Sequence, residues 1–276
     1  MPAYRELRLD SWDAFHALVT GPELAAWAFR GQANVDWPLA CSLHRHLLAF
    51  RVDPRAWRAQ EERILRIFRR KAPNHLDHVP APDDHFQWLA LMEHHGAPTR
   101  LLDLTWSPWV AAFFALEPAT GDAAVWALDP SAALAQARGV ARVSPDRLDP
   151  RDPGAFARWY LGGKRAFVWI GEPEAMNRRL VAQSGTFAVA SVIDRGVEDI
   201  LAASDPAAVV KLVLGRAVRE RAMRELYTMN ITQATLFPDL DGLARSLAYE
   251  LEFHWEFDPH TMQKWRPPPT GDRDRR

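Results

Sequence analysis

Apolar positions are densest between residues 86 and 116, FQWLALMEHHGAPTRLLDLTWSPWVAAFFAL. Residues 86–92 are apolar at helical spacing and predict a buried helix. His94, His95 and Gly96 end it, and Pro98 forbids its continuation. Residues 100–105, RLLDLT, form a short apolar run with one carboxylate, the pattern of a central strand with a polar group near its end. Ser107 is placed to cap a second helix, with Pro108 in its first turn. Residues 109–116 are apolar almost all round, so that helix is expected deep in the core.

The flanking chain reads as alternating helices and strands. Ser11 precedes Trp12, Phe15, Leu18 and Val19 at helical spacing, and Gly21-Pro22 stops that helix. Residues 26–30, AWAFR, predict a strand that Gly31-Gln32 breaks. A turn at 34–38 and a short helix at 42–50 follow. Residues 54–71 predict a strong amphipathic helix with Trp57, Ile64, Leu65, Ile67 and Phe68 on one face. Arg63, Arg66, Arg69, Arg70 and Lys71 lie largely opposite. Such a basic face is either solvated surface or an edge that receives nucleic-acid phosphates. Residues 71–84 are a Pro- and His-rich loop. Strands are expected at 123–129, 167–170, 186–193 and 209–214, and helices at 130–138, 173–182 and 216–229. The Asp-, Pro- and Gly-rich stretch 144–163 reads as an excursion, and 230–247 closes the core.

At 276 residues, with 48% hydrophobic and 25% charged residues, the chain has ordinary globular composition and can bury a sizeable core. The net charge of −1 provides no global field for nucleic acid, so such a partner requires a local basic patch. The single cysteine, Cys41, excludes an intramolecular disulfide and reads as a small buried apolar residue. The sequence has no basic start followed by an apolar segment and no run of 18 apolar residues. A soluble, cytoplasmic protein with no membrane partner is expected.

Candidate chemistry gathers in the central block. His94, His95, Thr99, Arg100, Asp103 and Thr105 interrupt apolar sequence, and a charge buried there needs a partner or a cavity. Two readings stand: an internal Arg100–Asp103 pair that fixes a turn, or the floor of a binding cleft. Arg30, at a strand end beside Gly31, suits a phosphate or carboxylate because the glycine allows close approach; an ordinary salt bridge is the alternative. Asp239 and Asp241 have the spacing of a cation-binding pair, and also that of a turn or helix cap. The dinucleotide-binding glycine motif, the phosphate-binding glycine–lysine loop, HExxH and GxSxG are absent. His44, His94 and His95 have no second pair at ligand spacing, so no metal is expected.

Four segments, AWAFRGQ, HHGAPTRLLDLTWSPWVAAFFAL, RLVAQSGTF and TLFPDLDGLARSL, resemble in that order the FRG domain, named for an aromatic–Arg–Gly motif that is here Phe29-Arg30-Gly31. The resemblance is strongest over residues 24–247 and implies one domain over 1–265, followed by a compositionally disordered tail at 266–276. More distantly, the layout is similar to the ADP-ribosyltransferase fold. It implies an α+β class with a core of mixed and antiparallel strands and flanking helices. By that resemblance Arg30 corresponds to a first-strand arginine, and Asp103-Leu104-Thr105 to a second-strand polar triplet. Gln183 stands near where those enzymes carry a catalytic glutamate, which is a departure. NAD is then the substrate, bound by Arg30, Gly31, Gln32, Thr99, Arg100, Thr105 and Trp106. Arg30, His94, Asp103 and Gln183 are the implied catalytic groups. DNA or RNA is the implied acceptor, an inhibitory or antitoxin partner is implied, and the biological role is that of a toxin or antiphage effector. The competing expectations are an NAD-independent nuclease built on His94, Arg100, Asp103 and Asp239, and a non-catalytic binding module.

Overall fold

The computed structural model describes residues 4–252 and 261–264, so the expected tail at 266–276 lies outside the described residues. The chain builds one seven-stranded sheet from β1 (Arg5–Leu9), β2 (Ala28–Gln32), β3 (Leu101–Thr105), β4 (Ala123–Leu128), β5 (Val168–Gly171), β6 (Gly185–Ala190) and β7 (Val209–Leu214), in the order β1-β7-β4-β2-β3-β6-β5. β1 and β7 run parallel, and every other neighbouring pair is antiparallel. With its flanking helices this is the mixed, largely antiparallel α+β architecture expected from the sequence.

The central strands are apolar on both faces because both are covered. On one face, Phe29, Val125, Ala127, Val210 and Leu212 pack against α1 (Trp12–Val19), α5 (Pro108–Leu116) and α10 (Arg219–Thr228). Farther along this face, Leu101, Phe187 and Val189 meet α3 (Trp57–Lys71) and α4 (His85–His94). On the other face, Ala28, Leu102, Leu104, Trp126 and Ala188 pack beneath α9 (Val197–Ala202) and the start of α6 (Pro130–Ala141). The predicted caps form: Ser11 accepts from Ala14 N at 3.1 Å, and Ser107 accepts from Val110 N at 3.3 Å. α2 (Ser42–Ala49) is capped by Cys41, whose buried thiol is pushed up to about 11 by desolvation.

Several expectations shift. β1 has no forerunner in the hydrophobic pattern, because RELRL is an edge strand with mostly exposed residues. The excursion at 144–163 contains helical turns, α7 (Pro153–Ala155) running into a π-helical turn (Phe156–Leu161), pinned where Tyr160 Oη donates to the Leu148 carbonyl at 2.6 Å. The helix expected at 173–182 shrinks to α8 (Arg178–Ala182), started by Asn177, which accepts from Leu180 N. Ile67 is exposed rather than on the packed face of α3, where Glu61 is buried in the same i±4 row as Trp57 and Leu65. α11 (Gln233–Leu236) and α12 (Leu240–Glu252) close the described core. Asp239 takes the capping role, since its Oδ1 accepts from Gly242 N at 2.7 Å at the start of α12.

The largest correction concerns Gly31. It does not break the strand; it lies inside β2 opposite Val125. A Cβ there would overlap the Ala111 carbonyl oxygen and come 2.6 Å from Ala115 N, both on α5. The missing side chain lets the helix backbone rest directly on the strand. Gly31→Ala is therefore expected to destabilise the fold by about 1–3 kcal/mol through overpacking. Urea denaturation checks this, and an unchanged midpoint would show that α5 does not bear on β2 in this way.

Candidate active site

β2 exchanges a five-residue ladder with β4, and β3 exchanges one with β6, but β2 and β3 share only the Phe29–Thr105 pairing. The sheet therefore opens between its central strand, β2, and the neighbouring β3. Side chains alternate faces along a strand, so Arg30 and Asp103 start from opposite faces. Arg30 reaches the β3 backbone through the opening: its Nη1 donates to the Asp103 carbonyl oxygen at 2.6 Å. The guanidinium thus occupies space where a continuous ladder would otherwise close the sheet.

A cleft of about 250 Å³ lies at this opening, lined by Phe29, Arg30, Gly31, Asp103, Leu104, Thr105, Phe114, Arg179 and Gln183. Arg30 Nε is buried without a hydrogen-bond partner among the described residues. Buried donors are normally satisfied, so this one has unused capacity at the cleft. Burial pulls the Arg30 guanidinium below its usual value; Asp103 and Glu93 oppose that shift and Arg45 adds to it. Arg179, from α8, presents a second guanidinium that stacks 4.5 Å from the centre of the Phe237 ring. Neither arginine forms an ion pair with a described carboxylate. The Asp103 side chain is exposed and accepts no hydrogen bond from a described residue.

Gln183 follows α8 and joins three elements. Its Nε2 donates to the Leu236 carbonyl at 3.0 Å, and its own carbonyl accepts from Thr105 Oγ1 at 2.7 Å. Thr105 Oγ1 in turn accepts from Ser107 N, so both residues line the cleft while holding β3, α8, α11 and the start of α5 together. His94 lies within electrostatic reach of Asp103, Arg179 and Asp239. Burial, with His95 and Arg179 adding to it, lowers its pKa and so favours the neutral imidazole.

The other candidates are placed differently. Gln32 is buried, with Nε2 donating to the Pro38 carbonyl and Oε1 accepting from Trp126 Nε1. Thr99 is a knot whose backbone and hydroxyl bond Ser42, Leu43, Glu93 and Leu101. Arg100 does not pair with Asp103. Its Nε donates to Glu61 Oε1 at 2.6 Å, its Nη2 reaches Glu61 Oε2, and its Nη1 bonds the Ala190 and Ser191 carbonyls. Trp106 donates to Glu172 at 2.5 Å and does not line the cleft, where Phe114 supplies the accessible ring. Among the described residues no three His, Cys, Asp or Glu side chains assemble as a metal site.

Glu93 is the residue that sequence reading passed over. It precedes His94 in the last turn of α4, accepts from Thr99 Oγ1 and Ser42 Oγ, and interacts electrostatically with Arg30 and Asp103. Burial first, then Asp103, raises its pKa to about 7. The only sequence signal is a carboxylate at the mouth of an apolar helix, beside the more conspicuous histidines. Because the folded-state pKa lies above the unfolded one, the folded protein holds this proton more tightly. Stability is highest below about pH 4.5 as far as this group is concerned and falls as pH rises through about 7. Glu93→Gln is expected to remove up to roughly 3 kcal/mol of that decline. Denaturation at pH 5 and pH 8 measures it, and an unchanged difference between the two pH values would contradict this assignment.

Residues 25–123 match the FRG domain family. Over these residues the chain is similar to the FRG domain. No curated protein and no solved structure matches the chain. The three residues of the FRG motif now have separate tasks. Phe29 packs in the core beneath α5, Arg30 fills the opening in the sheet, and Gly31 admits the α5 backbone. The matched stretch contributes β2, α4, β3 and α5 to the site. Arg179 and Gln183 reach the cleft from beyond the matched residues, and Arg179 stacks on Phe237.

Proposed function

We propose that this protein is an NAD-dependent ADP-ribosyltransferase and that the cleft between β2 and β3 holds the reacting end of NAD. The observation that carries the reading is the pairing of two guanidinium groups, Arg30 and Arg179, with the uncommitted carboxylate of Asp103 around one cleft. Arg30 Nε and the Arg179 guanidinium are suited to the pyrophosphate as planar, charged donors. A cleft of about 250 Å³ takes part of a dinucleotide rather than all of it, so the adenosine end lies along the opening. Phe114 offers a ring face for nicotinamide.

In the reaction the bond between ribose C1′ and the nicotinamide nitrogen breaks, and its electron pair leaves with neutral nicotinamide. Positive charge builds on the ribose, and Asp103 stabilises it as a fixed negative charge. A lone pair of the acceptor forms the new bond to C1′, and the acceptor proton passes to a base. Neutral His94 and Glu93, whose pKa is near 7, are the two groups matched to that task at neutral pH. Gln183 orients the β3–α8–α11 junction and positions a ribose hydroxyl without contributing charge. Such an activity fits a toxin or antiphage effector restrained by an inhibitory partner.

The test uses NAD labelled separately in its nicotinamide and adenine parts, incubated with the protein and with DNA, RNA or protein pools. Release of nicotinamide with transfer of adenine label supports the reading. Absence of both, together with no rise in melting temperature on adding NAD, overturns it.

A further inference from the structure

A second concavity, of about 680 Å³, lies between α3, the 72–84 segment and the start of α4. Leu65 and Trp88 form its buried floor, and Pro73, Val79, Pro80 and Pro82 form an apolar wall. Arg66, Arg69 and Arg70 line it from α3. Arg69 is fixed, stacked over the Trp88 ring and donating to the Pro82 carbonyl. Arg66 and Arg70 are exposed, and neither forms an ion pair with a described carboxylate. Glu62, the acidic residue of this wall, is engaged by Arg58 at 2.9 Å. The groove therefore combines an apolar wall with two uncompensated guanidinium groups, on a chain whose net charge is only −1.

We infer that this groove binds a single-stranded nucleic acid, with phosphates on Arg66 and Arg70 and unpaired bases against the proline wall. Residues four apart on a helix are separated by about 6 Å along its axis, a step that extended-strand phosphates can follow. Single-strand sites combine a basic groove that tracks the backbone with ring faces on which bases rest, usually aromatic; here proline rings take that part. A peptide strand finds little backbone to pair with, because the wall is rich in prolines that lack an N–H. A bilayer cannot enter a concavity whose floor is buried. If the transferase reading also holds, this groove is where the acceptor strand is gripped; strand binding itself does not depend on NAD.

The experiment measures anisotropy of fluorescein-labelled 12-nucleotide oligo-U and oligo-dT with the full chain, without NAD, from 50 to 250 mM salt. Wild type is expected to bind at least one of them more tightly than a 12-base-pair duplex. Arg66→Gln/Arg70→Gln is expected to weaken binding at least about tenfold and to reduce the salt slope by about 1.4, at an unchanged melting temperature. Arg138→Gln/Arg147→Gln, an equal charge loss on exposed residues elsewhere, is expected to leave binding near wild type. The inference is overturned if neither oligonucleotide binds at 50 mM salt, if the two double variants weaken binding equally, or if polyglutamate displaces the oligonucleotide as well as unlabelled strand does. Because NAD is absent, a failed transferase assay leaves this result intact, and the reverse also holds.

Discussion

Asp103→Asn is expected to lower nicotinamide release from NAD by about 10²–10³-fold, the usual cost of removing a fixed electrostatic stabiliser of a transition state. The substitution keeps the size and shape of the side chain and removes its charge. It also spares the contact that organises the cleft, because Arg30 bonds the main-chain oxygen of residue 103, not its carboxylate. β3 retains its ladder to β6 through the same backbone, so stability should change little. NAD binding should persist, since Arg30 and Arg179, proposed above to hold the pyrophosphate, are untouched, and the loss should appear in kcat rather than KM. Chromatographic quantification of nicotinamide and an NAD-dependent thermal shift separate these effects. An Asn variant within about threefold of wild type in turnover would remove Asp103 from the chemistry and leave the cleft without a charged partner for the ribose.

The second large effect concerns stability. Glu61→Ala is expected to cost about 3–5 kcal/mol, because it leaves the Arg100 guanidinium buried and uncompensated. Both side chains are almost fully excluded from solvent, at 2% and 3% exposure. The pair is bidentate, and Arg100 also holds the Ala190 and Ser191 carbonyls at the end of β6. This one guanidinium ties α3 to β3 and β6 and thereby fixes the helix that carries the basic groove relative to the strand that carries Asp103. A double replacement, Glu61→Leu with Arg100→Met, removes both charges and is expected to cost less than Glu61→Ala alone. Chemical denaturation of the single and double variants measures the difference. If Glu61→Ala loses under about 1 kcal/mol, the pair is not the buried clamp described.

Local pattern carried most of the secondary structure. The caps at Ser11 and Ser107, the apolar runs of β3, β4 and β7 and the packed helices α4 and α5 form close to their expected positions because each is dictated by neighbours a few residues away. The pattern failed where distant chain decides the outcome. Gly31 reads locally as a strand breaker, yet the close approach of α5 makes it a strand residue. Glu61, on a helix whose charged residues are expected to face away from the core, is buried because Arg100, 39 residues away, pairs with it. Trp106 looks like the aromatic wall of a site, whereas Phe114 lines the cleft.

The sequence by itself determined the FRG motif, the order of the major elements and the concentration of polar groups in an apolar block, since these are properties of residue type and short-range spacing. Only the tertiary structure decided which of those groups are consumed by the fold. Gln32, Thr99 and Arg100 satisfy internal partners, while Arg30, Asp103 and Arg179 face the cleft. The physical reason is that a hydrogen-bonding group is available to a ligand only if no part of its own chain reaches it first. That competition is settled by long-range packing: the single pairing between β2 and β3, the burial of Glu61 and the seating of α8 beside the opening.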